Sequence, residues 1–231
     1  MVVPYFEVAS CSRRGYAFHS FTMIRSFRYP LYPNKAEEAT LERYLRACSQ
    51  LYNAALQERR DAWKKQGVSI TLYGQMKSLT EIRAADEEWR AIPATIARSA
   101  LRRVDRGFQA FFRRVKAGEK PGHPRFRSAK RYDSFSCGNV IGIRGDRVKI
   151  PSLGYIKFNQ YRPLRGKVLD AIVKREAGKW FVVFQCDLGA APTPVDLASV
   201  PDSRIVGIDL GLRTLATLST GEQVENPRYG L

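Results

Sequence analysis

The sequence predicts an α+β protein on three observations. Apolar side chains recur at intervals of three and four between residues 34 and 118, alternate between 134 and 188, and open a further short strand meander from 204. The expected architecture is a three-helix bundle, then an antiparallel β-domain of barrel or sandwich type, then the opening strands of another α/β domain. At 231 residues the chain can bury one substantial core or two modest ones.

Residues 1–22 lack both a basic leader region and an unbroken apolar stretch, which disfavours a secretory signal; the reading is a disordered extension or an artefact of start-codon choice. From Met23, residues 23–33 (MIRSFRYPLYP) form a short strand with Ile24 and Phe27 apolar, turning at Pro30 and Pro33. Asn34 then caps a helix, with Glu37 placed for a capping box. Leu41, Leu45, Cys48, Tyr52 and Ala55 mark one face of this helix as far as about Lys65. Gly67 ends it, and Thr71 caps a second helix carrying Leu72, Met76 and Leu79. A third starts near Pro93 and presents Leu101, Val104, Phe108, Phe111, Phe112 and Val115 inward.

Residues 34–118 are thus one helical domain. Beyond Gly118 the stretch rich in Gly, Pro and Arg reads as an ordered basic loop, and 119–190 as that loop plus a β-domain with Arg-Gly-Asp and Glu-Ala-Gly-Lys hairpin turns. Three prolines at 192, 194 and 201 mark 191–203 as a linker. Residues 204–231 then begin a last domain.

Charge is the outlier. The chain carries 39 Lys and Arg against 22 Asp and Glu, a formal +17. Repulsion on that scale is relieved by a polyanion, most commonly nucleic acid. Nothing approaches 18 consecutive apolar residues, so no membrane partner is expected. Twelve basic residues stand between Arg98 and Arg131 against only Asp105 and Glu119, a local +10. Arg102, Arg103, Arg106, Arg113, Arg114, Lys116, Lys120, Arg125, Arg127, Lys130 and Arg131 are the candidate backbone contacts. If all ten net charges met phosphates, the log-log salt slope would approach about −9 on duplex DNA and about −7 on single strands. Phe126, Tyr132 and Phe135 interleave with them and either stack on unpaired bases or seat the loop on the β-domain.

The four cysteines, Cys11, Cys48, Cys137 and Cys186, form no CxxC pair and only two histidines exist, which disfavours a zinc site or disulfide framework and fits a reducing cytosol. Asp209 lies within an apolar run, flanked by Val206, Ile208 and Leu210. Desolvating an ionised carboxylate there costs several kcal/mol, so either the strand ends at Asp209 or something positive docks on it. The expected geometry is a buried strand over 204–209, a close backbone approach at Gly211, an antiparallel return through TLATLS, and a turn at Thr220 and Gly221. Ribonuclease H-like domains begin in this way, with the acid serving as a metal ligand. The segment GIDLG also looks like a phosphate loop of actin- and Hsp70-type ATPases, but Leu212 and Arg213 follow where that loop has small hydroxyl residues.

FRYPLYPN, LYNAAL (51–56), TLYGQ (71–75), FFRRVKAGEKPGHPRFRSAKRYDSFSC (111–137), VKIPSLGYIKF (148–158) and GIDLGLRTLATLSTGEQVENPRY (207–229) together resemble the N-terminal part of TnpB (OrfB) proteins of insertion sequences, relatives of type V CRISPR effectors. The resemblance implies a helical recognition domain, a β-barrel wedge domain built from the first strand and the later β-region, and a RuvC-like nuclease domain. It implies an RNA-guided DNA endonuclease, with a guide RNA and a double-stranded target bearing a flanking motif as partners. By motif match Asp209 is the first catalytic, Mg²⁺-binding carboxylate, and Tyr73 and Lys77 lie against the flanking duplex.

The family's further Glu and Asp, and its four-cysteine zinc ribbon, find no counterpart in these residues. The chain is therefore expected to be a truncated gene product, a fragment or one piece of a split protein, binding nucleic acid in the prokaryotic cytoplasm but not cutting it. Its guide, its flanking motif and its oligomeric state stay open.

Overall fold

A computed structural model describes residues 22–138, 142–190, 200–201 and 205–227. All of the expected 1–22 extension except Thr22, which opens the first strand, and most of the 191–203 linker lie outside the described residues. The chain divides into two compact units, 1–190 and 191–231.

The larger unit begins with β1 (Thr22–Tyr32), followed by α1 (Lys35–Gln66), α2 (Leu72–Ala85), α3 (Glu87–Ala91) and α4 (Ala94–Lys116). The six strands β2 (Ser134–Ser136), β3 (Ile143–Arg144), β4 (Arg147–Ile150), β5 (Gly154–Phe158), β6 (Lys167–Glu176) and β7 (Lys179–Ala190) complete it. All seven strands join one antiparallel sheet in the order β2-β6-β7-β1-β5-β4-β3. No ladder joins the edge strands β2 and β3 among the described residues, so the expected closed barrel is here an open sheet.

The first strand runs through Pro30 rather than turning there, and it sits in the middle of the sheet. A strand residue points its N–H and C=O to the same side, so proline's missing donor matters on one side only. The Pro30 carbonyl accepts from Asn159 N at 2.9 Å, just past the end of β5, and the ladder to β7 needs nothing from the Pro30 nitrogen. Alternate residues Phe27, Tyr29 and Leu31 point into the core, where the Tyr29 ring lies 5.6 Å from Phe158 and 5.9 Å from Phe184.

The long helix forms as its sequence dictates. Asn34 Oδ1 accepts from Glu37 N at 2.9 Å while Glu37 Oε2 accepts from Asn34 N at 2.8 Å, a reciprocal capping box. Gly67, at φ +66°, closes the other end in the left-handed conformation. Leu41, Leu45, Cys48, Tyr52 and Ala55 are all buried, as their spacing predicts. The helix docks on the β6–β7 hairpin through Trp180 Nε1 donating to Glu38 Oε1 and Arg175 donating to Glu42 Oε1, both at 2.9 Å.

Two helical expectations change. The short α3, capped by the Asp86 side chain, adds a fourth helix between the second and the last. On α4 the inward face is Ile96, Ala97, Ala100, Leu101 and Val104, with Phe108 half-buried, whereas Phe112 and Val115 face solvent. The stripe continues in the sequence beyond the point where the core ends. Burial also pushes the Cys48 thiol up to about 12 and moves Cys137 in the same direction.

The smaller unit carries β8 (Ile208–Asp209), β9 (Thr214–Leu218) and β10 (Gln223–Glu225) as an antiparallel meander in the order β10-β9-β8. Gly221, at φ +88°, makes the β9–β10 turn. At Gly211 a Cβ would stand 3.0 Å from the Thr214 carbonyl oxygen, which is the close approach the sequence predicts. The expected buried strand over 204–209 is not seen: residues 205–209 are exposed and pairing covers only Ile208 and Asp209.

Candidate nucleic-acid interface

The basic stretch is built from the C-terminal half of α4 and the loop 117–133 that follows it. The loop has no regular hydrogen-bonding pattern of its own, so its backbone groups need partners elsewhere. Four side-chain bonds from α1 supply them. Tyr52 Oη donates to the Arg125 carbonyl at 3.2 Å and Ser49 Oγ to the Arg127 carbonyl at 3.2 Å. Asn53 closes a reciprocal pair with Arg127, Nδ2 donating to its carbonyl at 2.8 Å and Oδ1 accepting from its N–H at 2.9 Å. These clamps use the backbone of Arg125 and Arg127 and leave both guanidiniums exposed.

The loop packs on α4 at Gly107, where a Cβ would stand 3.4 Å from the Pro124 ring, at the near edge of van der Waals contact. The loop and helix enclose a cavity of about 520 Å³ whose lining includes Arg103, Arg114, Arg125, Phe126, Arg127 and Arg131.

Arg103 is the most constrained of these. Its Nη2 donates to Ser134 Oγ at 3.2 Å, and its guanidinium lies 4.6 Å from the centre of the Tyr132 ring. Burial drives the Tyr132 phenol up from its ordinary value, opposed by the Arg103 charge. The Arg103 Nη1 and Tyr132 Oη atoms are buried with no hydrogen-bond partner among the described residues.

One of the two acids of the region is already paired. Asp105 pairs with the buried Arg59 at 3.1 Å, and Arg59 Nε donates to Gln75 Oε1 at 2.9 Å, joining α4, α1 and α2. Its charge therefore answers Arg59 first, and the exposed strip is more one-sided than the sequence count implies.

The predicted residues distribute unevenly. Arg103, Arg114, Arg125, Arg127 and Arg131 gather around the cavity. Arg102, Arg106, Arg113, Lys116, Lys120 and Lys130 are exposed on the same helix and loop without lining it. Tyr73 and Lys77 are exposed on the first two turns of α2, outside the cavity, with Thr71 Oγ1 capping that helix at Gly74 N. Of the interleaved aromatics, Tyr132 and Phe135 are fully buried, the latter 6.0 Å from Tyr44, so neither presents a face to a base. Only Phe126 does, at 47% exposure. Sequence reasoning missed the clamps at Ser49, Tyr52 and Asn53, whose partners lie more than 70 positions away.

Asp209 belongs to the smaller unit. It is exposed at the end of β8 opposite Thr217, with no ion-pair or hydrogen-bond partner among the described residues. The strand does end at the acid. The described residues contain no group of three or more His, Cys, Asp and Glu placed to hold a metal ion. A lone carboxylate does not fit a two-metal cleavage site, which needs several oxygen ligands around each ion.

The clamped loop and the C-terminal half of α4 thus present a concentrated cationic surface. The family profile HTH_OrfB_IS605, a helix-turn-helix domain, matches residues 23–67. In this structure that span is β1 followed by the single helix α1, not two helices about a turn.

The "Putative RNA-guided DNA endonuclease InsQ" of Escherichia coli (strain K12) is 29% identical over 207 residues, covering 87% of this chain and 49% of that protein. A protein of Streptomyces pristinaespiralis with the same name, less the suffix, is 28% identical over 216 residues, covering 89% and 50%. The chain is similar to these relatives along most of its own length and spans about half of theirs. Among solved structures, a chain of the Cas12f1–sgRNA–target DNA complex superposes with TM-score 0.44 at 15% identity, covering 89% of this chain and 57% of that one.

Proposed function

We propose that this chain is the nucleic-acid-binding part of an RNA-guided DNA endonuclease system, engaging a guide RNA and a double-stranded DNA target with a flanking motif. The observation that carries the reading is the arginine-rich loop clamped to α1 by its backbone with its guanidiniums left exposed. Phosphate contacts of this kind fix register and orientation while base pairing carries the sequence information. On this reading residues 34–118 are the recognition domain, and 23–33 with 119–190 the wedge, its sheet corresponding to the family's barrel. Residues 191–203 are the linker, and 204–231 the start of a RuvC-like domain. Tyr73 and Lys77 approach the flanking duplex, and the working compartment is the prokaryotic cytoplasm, at the nucleoid when DNA is bound.

Replacing Arg113, Arg114, Arg125 and Arg127 together by Ala tests it, using filter binding of RNA and DNA across a salt series. Four lost phosphate contacts flatten the log-log slope by about 3 to 4. Unchanged affinity and slope in the variant would overturn the footprint.

Asp209 is read as the first carboxylate of the family's Mg²⁺ site. With no second acid beside it among the described residues, the 231-residue chain by itself is inferred to bind without cleaving. Plasmid nicking by this chain in Mg²⁺, abolished by Asp209→Asn, would refute that inference.

A further inference from the structure

Resting on the nucleic-acid reading above, we infer that the cavity between α4 and the 122–131 loop takes one unpaired nucleotide of a single strand, its phosphate on the arginines and its base on Phe126. The cavity volume of about 520 Å³ lies in the range of small-ligand sites, larger than a phosphate alone requires. A duplex keeps its bases stacked inside and offers only its backbone. An unpaired nucleotide can place phosphate and base in one recess together.

The electrostatics ask for an anion. Arg103, Arg114, Arg125, Arg127 and Arg131 converge on the recess, and none forms an ion pair with a carboxylate among the described residues. Five like charges without a counter-charge leave a repulsion that a phosphate relieves. Arg103 is held in place there, one terminal nitrogen donating to Ser134 and the guanidinium over the Tyr132 ring.

The remaining features suit a base. Arg60 lies 5.2 Å from the centre of the Phe126 ring, and the ring is still half-exposed at the cavity. The loop holding Phe126 is fixed on both sides of it by the clamps at the Arg125 and Arg127 carbonyls, so the ring is in place before a strand arrives. Preorganisation of this kind lowers the ordering cost of binding.

The test is fluorescence anisotropy of the 231-residue chain against oligouridine and oligothymidine of about 12 nucleotides, within the usual span of single-strand sites, and against duplexes of matched length. Phe126→Leu keeps an apolar side chain but removes the stacking face, and is expected to weaken single-strand binding about tenfold with little effect on duplexes. Arg114→Gln, at a side chain with no hydrogen-bonded partner among the described residues, is expected to shift the same preference in the same direction.

A 4-thiouridine strand should crosslink to the 122–131 peptide in the wild type and lose that crosslink in Phe126→Leu. Equal losses on single strands and duplexes, no loss on either, or crosslinks elsewhere overturn the pocket while leaving the broader footprint standing. Failure of the wild-type chain to bind any nucleic acid would instead overturn the function proposed above. The two oligonucleotide arms separate an RNA strand, which offers 2′-hydroxyls, from a DNA strand.

Discussion

The two units treat apolar residues in opposite ways. In the larger, Tyr29, Leu41, Leu56, Phe158 and Phe184 are sealed between helices and a seven-stranded sheet. In the smaller, Ile208, Leu210 and Leu212 stand 63%, 73% and 92% exposed. Composition does not explain the difference, because GIDLGL is as apolar as many strands of the larger sheet. Enclosure does: among the described residues, three strands of two, five and three residues have no second layer of their own to cover either face. The meander has the makeup of a buried strand without the burial.

The strongest way to break this contrast is to damage the interior that only the larger unit possesses. Asp105→Ala strands the buried Arg59 guanidinium, which then keeps Gln75 but no carboxylate. Breaking a buried pair by removing one partner costs about 3 to 5 kcal/mol, and the partial exposure of Asp105 places the expectation at about 3. The three tryptophans, Trp63, Trp89 and Trp180, all lie in the larger unit, so urea denaturation followed by their fluorescence reads that unit alone. A midpoint within error of wild type would show that the pair is not part of the interior.

Next in size is a pH effect, also confined to the larger unit. Burial raises the Cys48 thiol to about 12 from an ordinary 9.0, so the folded state favours the protonated form. That contribution is complete below the unfolded value and is lost as pH rises from about 9 towards 12. The melting temperature should therefore fall in this window, and Cys48→Ala should fall less steeply. Identical slopes in the two proteins would remove Cys48 as the cause.

These outcomes bear on how much was legible in the sequence. The capping box at Asn34 and Glu37, the stop at Gly67 and the buried face of α1 were readable because each depends on neighbours three or four residues away. The hairpin turns at Gly145 and Gly178 were readable for the same reason. The central place of β1 was not, since it depends on partners some 130 to 160 residues later, as with Leu31 opposite Phe158 and Phe27 opposite Phe184.

The candidate site divides in the same way. Its charge was visible in the spacing of Arg98 to Arg131. The clamps from Ser49, Tyr52 and Asn53, and the burial of Tyr132 and Phe135, arise from residues brought together across more than 70 positions and have no local signature.

The smallest expected effect lies in the meander, and it sharpens the contrast from the other side. Leu212 is almost fully exposed and precedes β9 in the connection from β8. Leu212→Ser removes an apolar side chain that buries nothing in the described structure, so the stability read by amide hydrogen exchange in β9 should stay within about 0.5 kcal/mol of wild type. Solubility should rise, because short strands with exposed apolar residues invite association edge to edge. A loss above about 1 kcal/mol would mean that Leu212 is covered in solution, and that the two units differ less in enclosure than their exposed surfaces imply.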